Sequence, residues 1–187
     1  RLAGVGVVKY IRGISNLAGI VDEEAKVIIR AATAILNRES GENPYLLHED
    51  LEENMQSNVG IIRSAELLLE GITNLESLKK SYKEVKANGA SQYNPGWHEA
   101  LALRNLMITA ESVARSALMR EESRGAHTRV DFPGEQDEWL QSNVVIHKGK
   151  DGNMVVRKTD RQQPNNELER IANLSIDELE KEVAGEG

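Results

Sequence analysis

The sequence contains no cysteine, a single phenylalanine and only four prolines in 187 residues. Without thiols there is no disulfide framework, no thiolate metal site and no iron–sulfur ligation in this stretch, and the composition fits a reducing compartment. Aromatic residues make up 4% of the chain, so a core has to be built from Leu, Ile, Val, Ala and Met, the usual filling of a helix bundle. No apolar run approaches the roughly 20 residues that span a bilayer. Positive charge is also scarce, 23 Lys and Arg against 30 Asp and Glu for a net of −7. No basic stripe interleaved with aromatics is present, which argues against nucleic acid as a partner.

Catalytic signatures are missing as well. No histidine has a second His or Cys at metal-ligand spacing. His48, among Glu49, Asp50, Glu52 and Glu53, reads as part of a solvated helix face, and His98 and His147 as ordinary surface residues. There is no nucleophile–base–orienter set, no phosphate-cradling glycine loop and no pair of carboxylates on an apolar face. No catalytic, cofactor-binding or metal residue is therefore assigned within the chain.

What is present is helical periodicity. The chain opens on Arg1, and RLAGVGVVKYI has the pattern of a helix interior without a cap before it, as expected of a piece of a longer polypeptide. From Asp22, Ala25, Ile28, Ile29, Ala32, Ile35 and Leu36 form an apolar stripe that ends before Ser40 and Gly41. Asn43 and Pro44 are a cap and a first-turn proline for a second helix, with Leu46, Leu47, Leu51 and Met55 on one face and a break at Asn58 to Gly60. Ala65, Leu68, Leu69, Ile72, Leu75, Leu78, Tyr82 and Val85 mark a third helix closing at Asn88–Gly89, weakened at Gly71 by about 1 kcal/mol relative to alanine. After a short turn from Ser91 to Gly96, Leu101, Leu103, Leu106, Met107, Ala110, Val113, Ala114, Ala117 and Leu118 define a long fourth helix from Trp97 to Glu122, stopped by Gly125.

Beyond Pro133 the pattern changes. Trp139 and Leu140 are expected to anchor a polar loop by burial. Asn143 to Lys148 and Asn153 to Thr159 are β-branched runs joined by GKDGN, in which Asp151-Gly152 signals a hairpin that needs the helices or a partner to lean on. Ser175 and Glu178 form a capping box for one short terminal helix before the tail AGEG. The expected architecture is mainly α: an antiparallel three-helix bundle, spectrin-repeat-like, with a β-hairpin extension. Its divisions are 1–20 (a preceding helix and connector), 21–133 (bundle) and 134–187 (extension and tail).

The densest chemistry lies where the long helix ends. Arg120, Arg124, His127 and Arg129 fall within ten residues, at a helix terminus that favours cations. One reading has them cap carbonyls and pair with Glu121, Glu122 and Asp131, setting how the chain leaves the helix. The other makes them a docking corner for an anionic ligand or partner.

The run ALALRNLMITAESVARSALMREESRGAHTRVDFP strongly resembles the C-terminal helical domain of the succinate dehydrogenase and fumarate reductase flavoprotein subunit. NPYLLHEDLEENMQSNVGIIRSAELLLEGITNLESLKKSYKEV is similar to the same family's bundle helices, and RLAGVGVVKYIRG to the helix after its flavin-contacting region. The resemblance covers about residues 1 to 160, with REESRG a one-residue variant of the family's RESRG; the last 25 or so residues depart from the family's proline-rich ending. It implies an intact subunit that interconverts succinate and fumarate through FAD and passes electrons to an iron–sulfur subunit. It also implies a cytoplasmic location, peripheral on the inner face of the plasma membrane if the source is bacterial, with the membrane reached only through partner subunits. This chain would pack on the flavin-binding domain and the iron–sulfur subunit, with Arg120, Arg124, His127 and Arg129 as docking residues, and bind no cofactor itself. L-aspartate oxidase shares the RESRG-type ending and is the alternative enzyme; an autonomous helical scaffold is the alternative of another class.

Overall fold

A computed structural model describes residues 22–163 and 165–184. The expected helix within 1–20 and the tail beyond Ala184 lie outside them. In chain order the elements are helices α1 (Asp22–Asn37) and α2 (Pro44–Asn58), strand β1 (Ile62–Arg63), and helices α3 (Ala65–Tyr82) and α4 (Pro95–Met119). Strand β2 (Thr128–Arg129), helix α5 (Asp137–Leu140), strands β3 (Ser142–Lys148) and β4 (Met154–Asp160), and helices α6 (Asn166–Asn173) and α7 (Ile176–Ala184) follow.

Each long helix starts where a side chain can take its free N–H groups. Asn43 accepts from the N–H of Tyr45 at 3.0 Å, Ser64 from Leu67 at 3.2 Å and Asn94 from Trp97 at 2.9 Å, and Pro44 and Pro95 occupy first-turn positions that need no donor. Helices α2, α3 and α4 pack on one another in pairs, and α1 lies against α4. Leu47, Leu51, Leu68, Ile72, Leu75, Leu103, Met107, Ala110 and Ala114 fill the space between them. The Trp97 indole N–H donates to the Ala32 carbonyl at 2.8 Å, tying α1 to the bundle.

The long fourth helix is shorter at its end than its periodicity suggests, stopping at Met119 rather than Glu122. Leu106 and Val113 are exposed, while Glu111 lies buried on the inner face, paired with Lys79 and Arg115. Helix α3 ends at Tyr82, not at Asn88. Val85, the last residue of the apparent stripe, is fully buried in an extended segment whose backbone bonds to Ile35 and Glu42. The apolar pattern is a core signal, and an extended chain satisfies it.

Gly71 has a packing role. A Cβ there would sit 2.9 Å from a Val59 methyl and 3.0 Å from the Asn58 Cβ, so the missing side chain sets how closely α3 approaches α2. The Asn54 amide donates to the Gly71 carbonyl at 3.0 Å across this contact and also accepts from Asn58 and Asn74.

The β3–β4 hairpin pairs Ser142 with Asp160 through to Lys148 with Met154, and rests on α4. Its turn spans 149–153, with Gly152 at φ +84°. Of the two expected anchors, Trp139 is buried and Leu140 is 44% exposed. Two terminal helices form where one was expected; Ser175 and Glu178 bond reciprocally at the start of the second.

Gly71→Ala is expected to lower stability by about 1–3 kcal/mol, because overpacking outweighs the ~1 kcal/mol gain in helix propensity. Urea denaturation checks it; a variant more stable than the parent would show that α2 and α3 have room to separate.

Candidate functional site

Three helix termini meet at one end of the bundle: the carbonyl ends of α2 and α4 and the N–H end of α3. Each leaves backbone groups in need of partners. Parallel strands β1 and β2 bring Arg63 and Arg129 side by side. Arg63 turns back on α2, its Nε donating to the carbonyls of Gly60 at 2.6 Å and Val59 at 3.3 Å. Arg129 turns to α4. One terminal nitrogen donates to the carbonyls of Ala117, Leu118 and Arg120 at 3.0, 3.0 and 3.2 Å.

The other edge of the Arg129 fork holds Asp131 in a bidentate pair at 2.8 and 2.7 Å. Asp131 also accepts from the N–H of Ala65, the first residue of α3, at 2.9 Å, where the helix dipole favours negative charge. These bonds, those to Arg129 foremost, hold the Asp131 carboxyl far below the usual carboxylate range. The guanidinium lies 4.8 Å from the centre of the Phe132 ring, and Arg129 is 1% exposed.

A second layer is built on Glu122, which is wholly buried. It accepts from Arg120, from Arg124 at 3.1 and 3.0 Å and from the N–H of Gln136 at 2.9 Å. Burial alone would push this carboxyl up; the bonds from Arg124, Gln136 and Arg120 outweigh it and bring the pKa down to about 2. Arg124 reaches on to Glu135 at 2.8 Å, and Arg120 lies 5.5 Å from the centre of the Trp139 ring. This second layer thus fastens the C-terminal extension to the bundle.

His127 sits between the layers. Its Nδ1 is 2.7 Å from an Arg63 nitrogen and its Nε2 is 3.1 Å from the Arg120 carbonyl. A guanidinium can only donate and a carbonyl can only accept, which assigns the Nε2–H tautomer of a neutral ring. Burial, with the charges of Arg63, Arg129 and Arg120, lowers its pKa against the opposing bond to the Arg120 carbonyl.

All four candidate residues therefore gather at one corner, in unequal positions. Arg120 and Arg124 have side chains about a quarter exposed, whereas Arg129 presents almost no surface. Arg129 can serve a partner only by shaping what others display. Glu121 makes no ion pair with these arginines; its carbonyl takes the Gln136 amide at 2.8 Å. Gly125, expected as the helix cap, instead turns the loop between Arg124 and His127 at φ +59°. Arg63 escapes a reading of the sequence because its partner lies far away in the chain. Glu122 is visible there as half of a Glu-Glu pair with nothing to say which turns inward. His48, read as solvated, bridges helices with its Nδ1 2.6 Å from Glu99. Among the described residues no group of three or more His, Cys, Asp or Glu is placed to hold a metal ion.

Acid is expected to open this corner in two stages. His127 binds its proton less readily folded than unfolded, so stability falls as pH drops through and below the usual 6.5. Glu122 is depressed from 4.5 to about 2, so its contribution, on the order of 3 kcal/mol, is complete above 4.5 and lost between those values. Urea denaturation at a series of pH values measures both. His127→Gln should flatten only the upper stage; an unchanged upper stage would assign it to other groups.

Comparison with known proteins places this geometry. Residues 48–175 match the family described as fumarate reductase flavoprotein C-term. A component of the CoM/CoB fumarate reductase of Methanothermobacter marburgensis is 33% identical over 150 residues, covering 79% of this chain and 26% of that protein. The succinate dehydrogenase flavoprotein subunit of Bacillus subtilis is 29% identical over 153 residues, covering 78% and 26%. The Mycobacterium smegmatis Sdh1 complex in the apo form contains a chain that superposes with a TM-score of 0.82 at 33% identity, over 95% of this chain and 30% of that one. Adenylylsulfate reductase of Archaeoglobus fulgidus, at 18% identity and a TM-score of 0.72 over 86% of this chain and 28% of its own, shares the fold alone. The chain spans about a quarter of the length of these curated relatives. It belongs to the fumarate reductase flavoprotein C-terminal family.

Proposed function

We propose that this chain is the C-terminal helical domain of a flavoprotein subunit that interconverts succinate and fumarate through FAD and delivers electrons to an iron–sulfur subunit. The observation that carries the reading is the family match across 48–175, which contains the whole bundle end from Arg63 to Asp131. Relatives on both sides of the reaction, a fumarate reductase and a succinate dehydrogenase, support it. The adenylylsulfate reductase likeness shows that the fold by itself does not select the substrate.

In this reading the chain is structural. FAD is held, on this reading, by the part of the subunit that the relatives carry in addition, since this chain spans about a quarter of their length. The guanidinium corner is the docking element toward that part and the iron–sulfur subunit. Ile61, Ile62 and Val130, 65%, 68% and 60% exposed on and beside β1 and β2, give it an apolar rim. Arg120 and Arg124 supply the accessible charge, with His127 and Arg129 holding them in place. No helix among the described residues is long and apolar enough to cross a membrane. In a bacterial source, attachment to the inner face of the membrane is expected to run through partner subunits.

The intact subunit should reduce an artificial acceptor with succinate, or oxidise a reduced dye with fumarate, and show no L-aspartate oxidase activity. Activity with aspartate alone would replace this assignment by the aspartate oxidase one. In the same subunit, Arg124→Ala is expected to reduce FAD retention and assembly with the iron–sulfur subunit more than turnover of the assembled enzyme. Lost turnover in a fully assembled, flavin-loaded variant would move Arg124 to the reaction site.

A further inference from the structure

Away from the corner, a cleft of about 940 Å³ opens between α3, α4 and the β3–β4 hairpin. Ile108, Ile146 and Met154 give it apolar walls. Its two acids are already committed, Glu111 to Lys79 and Arg115, and Glu76 to Arg115 at 3.3 Å. Lys80, Lys83, Arg104 and Lys148 also line it and make no ion pair among the described residues. An acidic chain thus collects, in one concave place, four cations without an ion-pair partner among the described residues, and their mutual repulsion favours an anionic occupant.

The complementary surface lies in the same molecule. Residues 163–187 hold seven carboxylates against Arg170 and Lys181, a net of −5 within a chain total of −7. Arg170 grips Glu182 at 2.8 and 2.7 Å, joining α6 to α7, yet neither helix has a buried residue. Leu168, Ile176 and Val183 are 56%, 75% and 89% exposed, apolar side chains on two helices rich in carboxylates.

We propose that the cleft is the docking site for the α6–α7 pair of its own chain, with its carboxylates against Lys80, Lys83, Arg104 and Lys148 and its apolar side chains against the walls. The chain is long enough. Strand β4 spans about 23 Å, while the linker 161–165 extends to about 17 Å and α6 adds about 12 Å, which brings α7 back to the hairpin tip.

The absence of cysteine makes the test clean: a nitroxide on Ala184→Cys in the full chain, read by paramagnetic broadening of backbone amide signals. At 0.01 M salt, where charges act over about 30 Å, amides of 79–83, 104–112 and 146–154 should broaden. At 1 M, where that reach is about 3 Å, they should recover. Lys83→Glu with Lys148→Glu should abolish the broadening while amide shifts elsewhere stay in place. Broadening absent at low salt, or unaffected by the charge reversal, overturns the proposal. Broadening seen only between spin-labelled and isotope-labelled molecules mixed together overturns the assignment to the same chain.

Discussion

The fork of Arg129 is the interaction on which the rest of the domain depends. A buried guanidinium loses hydration worth several kcal/mol, and it persists only where every donor finds a partner. Here one edge takes three carbonyls at the end of α4 and the other takes Asp131, which itself reaches the first N–H of α3. A single side chain thereby neutralises the negative pole of one helix and, through a carboxylate, supports the positive pole of its neighbour. The direction in which the chain leaves α4 follows from that bond set. So does the approach of β2 to β1, which brings His127 onto Arg63 at the end of α2.

The second layer carries this order outward. Glu122, held between Arg120 and Arg124, takes the N–H of Gln136, and Arg120 donates to the Trp139 carbonyl at 3.3 Å. The Trp139 ring has both Arg120 and Lys158 close to it, the ammonium 4.2 Å from its centre. The hairpin is thus anchored at its base by cations on an aromatic face and along its length by α4. A domain with two tryptophans uses one, Trp97 of α4, to hold α1 and the other, Trp139, to hold the extension.

Features that depend on near neighbours along the chain are legible in the sequence. Asn43-Pro44, Asp151-Gly152 and Ser175 with Glu178 each act through bonds within a few residues, and each sits where the pattern places it. The arginine and histidine cluster is legible as a cluster for the same reason. Its internal geometry is not. Arg63 enters from α2, and the inward turn of Glu122 is decided by Gln136 and by arginines on both sides. Val85 and Leu106 show the same limit: apolar periodicity reports burial averaged over a helix face, and tertiary packing decides whether Val85 is helical or Leu106 covered. Gly71 is misjudged by propensity, which counts the cost of a glycine and not the neighbour that requires it.

The parallel pairing of β1 with β2 joins residues 66 positions apart with two short strands. Its backbone bonds, Thr128 to Ile61 and Val130 to Arg63, cannot form until α3 and α4 have folded back on one another. Closing so long a loop is entropically unfavourable and is offset only by contacts made at the same moment. The corner is therefore a clasp whose backbone pairing requires the packed bundle. Whatever surface it shows is displayed only by a domain in which α3 and α4 already lie together.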